Sequence, residues 1–417
     1  MIAAFQLTPR ADISILEDLR TALYILTAIA LLRSIQAVFE GIRFRRLIRR
    51  ELLAPAWAFA PRVAVLAPCK GVDPDLPDEI RSLLTQDYPD YEVIFVLESP
   101  EDPAAAVLRA VTEPPDRDFR ARRVITVFAG PCADCGQKVH NLRVALKHAS
   151  PDIEAYAFVD SDIRLSTDWL RRLIAPLKDE AVGATTGYRW YLPVRGGLAS
   201  GLLSAWNTLP LMLMGDPRRA FAWGGSMALR RRTFEEARVL DYWSGSVSDD
   251  YGVTHAVRDA GLRIQFVPRC LVLSRQDVTW PQLYEFVCRQ YTLTRVYAPA
   301  LYGLGLTFSA IFAAAFFGAP LCAALSGDGA TLLSGSVLLW GLTMFLGHQR
   351  LGLARLRFPD EESGHRKAAV AHVLGGPLLT LFNFLTLIRA GLSRRITWRG
   401  ITYDLRGPHE VVILTRE

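Results

Sequence analysis

The sequence predicts an α/β domain with a mostly parallel sheet, flanked at both ends by apolar helices able to cross a membrane. Three observations carry this reading. Short apolar runs alternate with helical stretches from Pro61 to about Val272, the pattern of strand–helix–strand units. Those runs lack polar alternation, as strands buried on both faces do. The chain of 417 residues is 51% hydrophobic, its mean hydropathy is +0.18, and the apolar excess is concentrated, which fits a soluble domain joined to a membrane part.

The elements follow in order. Residues 63–67 form a buried strand that ends at Pro68-Cys-Lys-Gly71. A helix over 78–85 leads to a second strand at 91–97, and a helix over 104–112 to a third at 124–128. Residues 138–148 read as helix, and 155–159 as the strand before Asp160-Ser-Asp162. In such sheets ligands bind beyond the carboxyl ends of the strands, and these ends carry Lys70, Glu98 and the Asp160/Asp162 pair.

The flanks are apolar. Residues 19–39 are mostly apolar, interrupted by Arg20, Arg33 and Gln36, and read as one span or as an interfacial helix. No basic region followed by an apolar core and a cleavage site opens the chain, so no removable signal peptide is expected. Five arginines within 43–50 mark the cytoplasmic side and suit anionic headgroups. Residues 280–297 resemble a helix lying in the membrane interface. Residues 298–325 are long enough to span, 331–346 are short for a span, and 348–367 form a charged linker. A third run, 368–392, is broken by Gly375-Gly-Pro377. The expected divisions are an anchor with its basic segment (1–50), the α/β domain (51–279), an interfacial helix (280–299), a membrane region (300–392) and a tail (393–417). If all three C-terminal runs cross, the tail ends opposite the α/β domain, yet its arginines favour the cytoplasm. The broken run is the candidate for a re-entrant segment.

A net charge of +6 and a pI near 9.0 fit basic cytoplasmic loops, and no basic patch interleaved with aromatics points to a nucleic-acid partner. Of six cysteines only Cys132 and Cys135 form a C-x-x-C. No second ligand pair for a structural zinc is evident, so reduced thiols are expected, with a redox pair left open.

Two carboxylates at the tip of a buried strand, Asp160 and Asp162, suit Mg²⁺ or Mn²⁺ carrying a diphosphate. Glu98 could accept hydrogen bonds from a nucleobase or ribose, or cap the helix after it. Lys138 and Asn141 share one face of a helix start, where phosphate is favoured. Trp223, Gly224 and Gly225 suggest an aromatic surface beside a close backbone approach, or a tight turn with Trp223 in the core. Asp249 and Asp250 precede a helix expected over 253–260, either as a general base or as an N-cap.

Together these segments resemble glycosyltransferase family 2, within it the ceramide glucosyltransferase-like branch. The resemblance covers about residues 60–300, with an echo at Ile396-Thr-Trp-Arg-Gly-Ile-Thr-Tyr403. Pro68-Cys-Lys-Gly-Val-Asp-Pro-Asp75 is similar to the branch's early K-G-x-D-P segment, and residues 92–103, with Glu98 and Asp102, to its first acidic segment. Lys138 and Asn141 match K-x-x-N-L, Asp160-Ser-Asp162 the metal-binding D-x-D, and Asp249-Asp250 the E-D pair whose second member is the base. The resemblance implies a GT-A-like nucleotide-binding domain, a divalent cation, and a membrane-bound inverting hexosyltransferase. It implies a UDP-sugar donor, UDP-glucose foremost, and a lipid hydroxyl such as ceramide as acceptor. Asp250 would act as base, with Lys70, Glu98, Asp102, Lys138, Asn141 and Asp160 at the donor. Two departures stand out. Glu98 or Ser99 replaces the usual Asp, and Phe286-Val-Cys-Arg-Gln290 keeps only the Arg of (Q/R)-x-x-R-W. Arg289, Gln290 and Arg295 are read as binding pyrophosphate or acceptor. Other acceptors (a hopanoid, a carotenoid or another polar lipid), a processive polysaccharide synthase and a non-catalytic lipid-binding scaffold remain as alternatives.

Overall fold

The computed structural model describes residues 9–54, 58–73, 75–326 and 329–416. Pro74 of the K-G-x-D-P segment, and the outermost residues of the anchor and the tail, lie outside the described residues. The chain forms two compact units. One comprises Arg46–Leu192, Asn207–Gln276 and Arg394–Glu417; the other comprises Met1–Arg45, Pro193–Trp206 and Asp277–Ser393.

The first unit is built on a seven-stranded sheet of β1 (Val63–Pro68), β2 (Tyr91–Leu97), β3 (Arg123–Phe128), β4 (Ala155–Val159), β5 (Val182–Leu192), β6 (Ser226–Arg230) and β7 (Arg263–Arg275). Their order is β3-β2-β1-β4-β6-β5-β7. Only β6 runs against its neighbours β4 and β5; the other pairings are parallel. Every residue of β2 and β4 is buried, which is why their sequences carry no polar alternation. Strand order reverses at β1, which lies between β2 and β4. The loops after β1 and β4 therefore leave a crevice at their carboxyl ends, the usual ligand position in open α/β sheets.

Several boundaries differ from the sequence reading. The helix expected over 253–260 is Asp249–Asp259, so both acidic residues lie in its first turn. Ser248 is its N-cap and accepts a hydrogen bond from the Tyr251 amide. A second sheet escaped notice in the tail: β8 (Arg395–Trp398), β9 (Ile401–Gly407) and β10 (Glu410–Arg416), in the order β10-β9-β8. A two-residue turn, Arg399 and Gly400, joins β8 to β9. Both have positive φ, 48° and 78°, as the twist-matched hairpin turn requires. The tail sheet belongs to the same unit as β1–β7.

The second unit is helical. Glu17–Leu53, whose residues from Arg46 on belong to the first unit, and Pro299–Ala324 and Ala330–Arg357 are long and apolar enough to cross a membrane. The run read as short for a span continues into the supposed linker as far as Arg357, because Arg350, Arg355 and Arg357 sit on the same helix. The helices Glu362–Val373 and Gly376–Leu392 meet at a 74° bend, at the Gly375-Gly-Pro377 break. The helix Trp280–Tyr297 spans the interval read as interfacial.

Candidate active site

One pocket opens where β1 and β4 end. β1 and the residues after it contribute Pro68, Cys69 and Lys70, and β4 is followed there by Asp160, Ser161 and Asp162. The helix Gln137–Leu146 enters with Gly136 before it and turns Gln137, Lys138 and Asn141 toward the pocket. The tail supplies Trp398, Arg399, Ile401 and Tyr403. It is tied in place by the Gln137 amide, which donates to Tyr403 Oη at 3.1 Å.

The charges are tightly interlocked. Lys138 Nζ lies 2.8 Å from Asp160 Oδ1 and 3.2 Å from Asp249 Oδ2, so one ammonium links the two acidic pairs. Burial disfavours its charge, but Asp160 and Asp249 overcome this and hold Lys138 protonated well above the ordinary lysine range. Arg189 sits in the middle of β5, nearly buried, and donates to both oxygens of Asp162 at 2.6 and 3.0 Å. Its guanidinium also lies 5.4 Å from the Trp223 ring centre. Burial pushes Asp162 upward, yet Arg189, then Arg399 and Lys138, prevail and hold it at about 2. Asp249 goes the other way. Burial outweighs Lys138, Asp250 and Asp160 add repulsion, and its carboxyl is pushed up to about 6.

The sequence model of Glycosyl transferase family 21 matches residues 24–411. The chain belongs to glycosyl transferase family 21. The ceramide glucosyltransferase-like branch named from the motifs agrees with this, since a curated relative is the ceramide glucosyltransferase of Gibberella zeae. That relative is 31% identical over 185 residues, 41% of this chain, and the chain spans about a third of its length (33%). Among solved structures, the mannosyltransferase PcManGT from Pyrobaculum calidifontis, in complex with GDP-Man and Mn²⁺, is similar. It is 19% identical, with a TM-score of 0.47, over 88% of this chain and 98% of that one. Glucosyl-3-phosphoglycerate synthase from Mycobacterium tuberculosis, in complex with Mn²⁺ and UDP-glucose, is 18% identical, with a TM-score of 0.37, over 56% of this chain and 78% of that one.

In this family 21 chain the expected donor residues do not all face the pocket. Lys70, Lys138, Asn141, Asp160 and Asp162 line it. Glu98 stands behind Lys70, held at 3.1 Å from its Nζ and 2.6 Å from Arg416 Nη1. Both of its oxygens are thus engaged by cations. Asp102 caps the helix Pro103–Thr112 through the Ala104 amide (2.9 Å) and also accepts from the Gly71 amide (2.9 Å). It shapes the loop after β1, and the helix cap considered for Glu98 falls to Asp102. Asp250 is half-buried and accepts from the Tyr251 amide at 2.8 Å and the Gly224 amide at 3.4 Å. Trp223 packs partly buried against the core and edge-on to Tyr188.

Arg289, Gln290 and Arg295, assigned to pyrophosphate or acceptor from the degenerate motif, are not among the residues lining this pocket. Arg295 Nη1 donates to the carbonyls of Ala390 and Gly391 at 2.6 and 2.7 Å, completing the C-terminal end of the helix Gly376–Leu392. This is a helix-capping task for a cation. Arg289 lies over the Phe286 ring at 5.4 Å, and neither it nor Gln290 is among the residues lining the pocket. The sequence reading missed Arg189, Arg399 and Tyr403. For Arg189 a signal existed: a lone arginine in an otherwise buried strand needs an anionic partner.

The carboxylates fit a divalent cation. Asp160 and Asp162 are hard oxygen donors, and a carboxylate has about four acceptor sites, so Asp162 can meet both Arg189 and an ion. Space is kept around them by Gly224 and Gly225. A Cβ on Gly225 would come 2.7 Å from Asp160 Oδ2, and one on Gly224 would come 2.4 Å from Asp249 Oδ2. Asp249 Oδ2 is buried without a hydrogen-bond donor of good geometry.

Proposed function

We propose that this chain is a membrane-anchored inverting glycosyltransferase that moves a hexose, most simply glucose, from a UDP-sugar to a lipid hydroxyl such as that of ceramide. The observation that carries it is the linkage of both acidic pairs through Lys138 beside a pocket at the sheet's switch point. Family membership and the ceramide glucosyltransferase relative support the donor and acceptor classes.

In this reading Lys70, Lys138 and Arg399 gather positive charge where the diphosphate lies, and Asn141 adds a neutral hydrogen-bonding group. A Mg²⁺ or Mn²⁺ ion on Asp160 and Asp162 would offset negative charge as the diphosphate departs. Asp250, at the start of its helix and half-exposed, takes the proton of the acceptor hydroxyl. The hydroxyl oxygen forms its bond to the anomeric carbon from the face opposite the diphosphate, the bond to the diphosphate oxygen breaks, and UDP leaves. Ser248 and the Tyr251 and Gly224 amides fix the Asp250 carboxylate, so little reorganisation precedes attack. The catalytic unit faces the cytoplasm, on the side of the arginines in 43–50.

Lipid analysis of a host expressing the protein, set beside the Asp250→Asn variant, tests this. A new glycolipid is expected with the wild type, and a loss of about 10²–10⁴-fold with the variant. A glycolipid on a different lipid would change the acceptor. A polymer, or equal product from both proteins, would overturn the reading.

A further inference from the structure

We propose that Cys132, Cys135 and His140 form a second metal site, a zinc site in the loop that carries the donor-pocket helix. The side-chain ligand atoms of these three residues lie within 4.8 Å of one another. Both cysteines are buried, and the histidine is half-buried. The missing second ligand pair is therefore partly supplied from within the helix: the spacing is C-x-x-C-x-x-x-x-H, and Gln137–Leu146 turns His140 back onto the loop.

The details fit a zinc ion. His140 Nε2 lies 3.0 Å from the Ala129 carbonyl oxygen. A carbonyl only accepts, so Nε2 carries the hydrogen and Nδ1 keeps its lone pair, the arrangement that orients metal-bound histidines. The Cys135 amide donates to Cys132 Sγ at 3.2 Å, a bond that favours a thiolate. The two sulfurs stand 2.8 Å apart, as a hydrogen-bonded pair. Zinc–sulfur bonds of about 2.3 Å set tetrahedral ligands roughly 3.7 Å apart, so replacing the shared proton by an ion separates the sulfurs by about 1 Å. Asp134 Oδ1, 3.5 Å from Cys132 Sγ, is the neighbouring donor for the fourth position. Two thiolates and an imidazole select zinc over magnesium or manganese, which the hard carboxylates Asp160 and Asp162 prefer. One chain thus sorts two metals by ligand softness.

The site also has a place in the pocket's construction. The Cys132 amide donates to Gln137 Oε1 at 2.9 Å, and its carbonyl accepts from Arg416, which holds Glu98. Zinc there pins the loop that sets Gln137 and Lys138.

The test is metal analysis of the full chain, purified in detergent without added metal or chelator. About one zinc per chain is expected, by mass spectrometry, in the wild type and equally in Asp160→Asn. Cys132→Ser/Cys135→Ser should hold less than about a tenth of that, and Asp134→Ala should bind more weakly but still bind. If the double variant does not fold, a mercurial thiol reagent added to the folded wild type should release the zinc, read with a colorimetric chelator. Wild-type protein without zinc, a Cys132–Cys135 disulfide found by peptide mass, or zinc retained in the double variant would overturn the proposal.

Discussion

Arg189 holds both oxygens of Asp162, at 2.6 and 3.0 Å. A nearly buried guanidinium cannot lose its partner cheaply, nor can the carboxylate. Removing one member of such a pair costs about 3–5 kcal/mol. Arg189→Met is therefore expected to lower the melting temperature markedly. Mn²⁺ should then raise it more in the variant than in the wild type, because the ion takes over the abandoned carboxylate. Equal Mn²⁺ shifts in both proteins would separate Arg189 from the cation site.

Chelation addresses the same carboxylates from the other side. Stripping divalent ions with EDTA should weaken UDP-sugar binding about tenfold or more, measured by calorimetry, and Mn²⁺ should restore it. Asp160→Asn should bind weakly with or without the ion. Indifference of the wild type to EDTA would remove Asp160 and Asp162 as ion ligands.

Asp249 supplies a pH signature. Its carboxyl is raised to about 6 in the folded chain, so between the ordinary aspartate range and pH 6 the folded state binds a proton that the unfolded state does not. Stability from this group therefore falls as pH rises through that window and is level above it. Asp249→Asn lacks the term. The variant's melting temperature relative to wild type should climb from pH 4 to pH 6 and then flatten. A constant difference across that range would show that Asp249 ionises normally.

Arg399 sits at a left-handed turn at the pocket rim, 3.2 Å from Asp73. If it reaches the diphosphate, Arg399→Ala should raise the donor KM about 5–20-fold, a typical loss for one charge-assisted contact, while kcat stays within about twofold. Arg399→Lys should recover part of the loss. A fall in kcat with unchanged KM would give Arg399 a different task.

Much of this was legible in the chain, and the exceptions share a cause. β1, β2 and β4 announce themselves because burial on both faces leaves uninterrupted apolar runs. Asp160, Asp162 and Lys138 follow because strand ends and helix starts are local signals. Arg189 signals in the sequence only that it needs an anionic partner; which one it takes, Asp162 in the turn after β4, lies outside its own strand. The tail strands carry Thr, Arg and Asp between apolar residues and read as a polar end until they pair with each other. Arg295 was read beside its sequence neighbours, and the carbonyls its guanidinium meets, nearly a hundred residues away, are not a local signal. The helix at Asp249 starts early because Ser248, not an aspartate, supplies the cap.

The tail sheet has one more consequence, a matter of parity. The chain leaves the sheet-bearing unit after Gln276 and rejoins it at Arg394. Whatever it does in between, it must return to the side of the bilayer it left, so its crossings number zero, two or another even count. If Pro299–Ala324 and Ala330–Arg357, which are long and apolar enough to cross, both do so, they make one outward and one inward passage. The pair Glu362–Val373 and Gly376–Leu392, folded at 74°, must then enter and leave by the same leaflet. The basic tail helps to wall the pocket, and an odd number of passages would strand it away from the rest of its own unit.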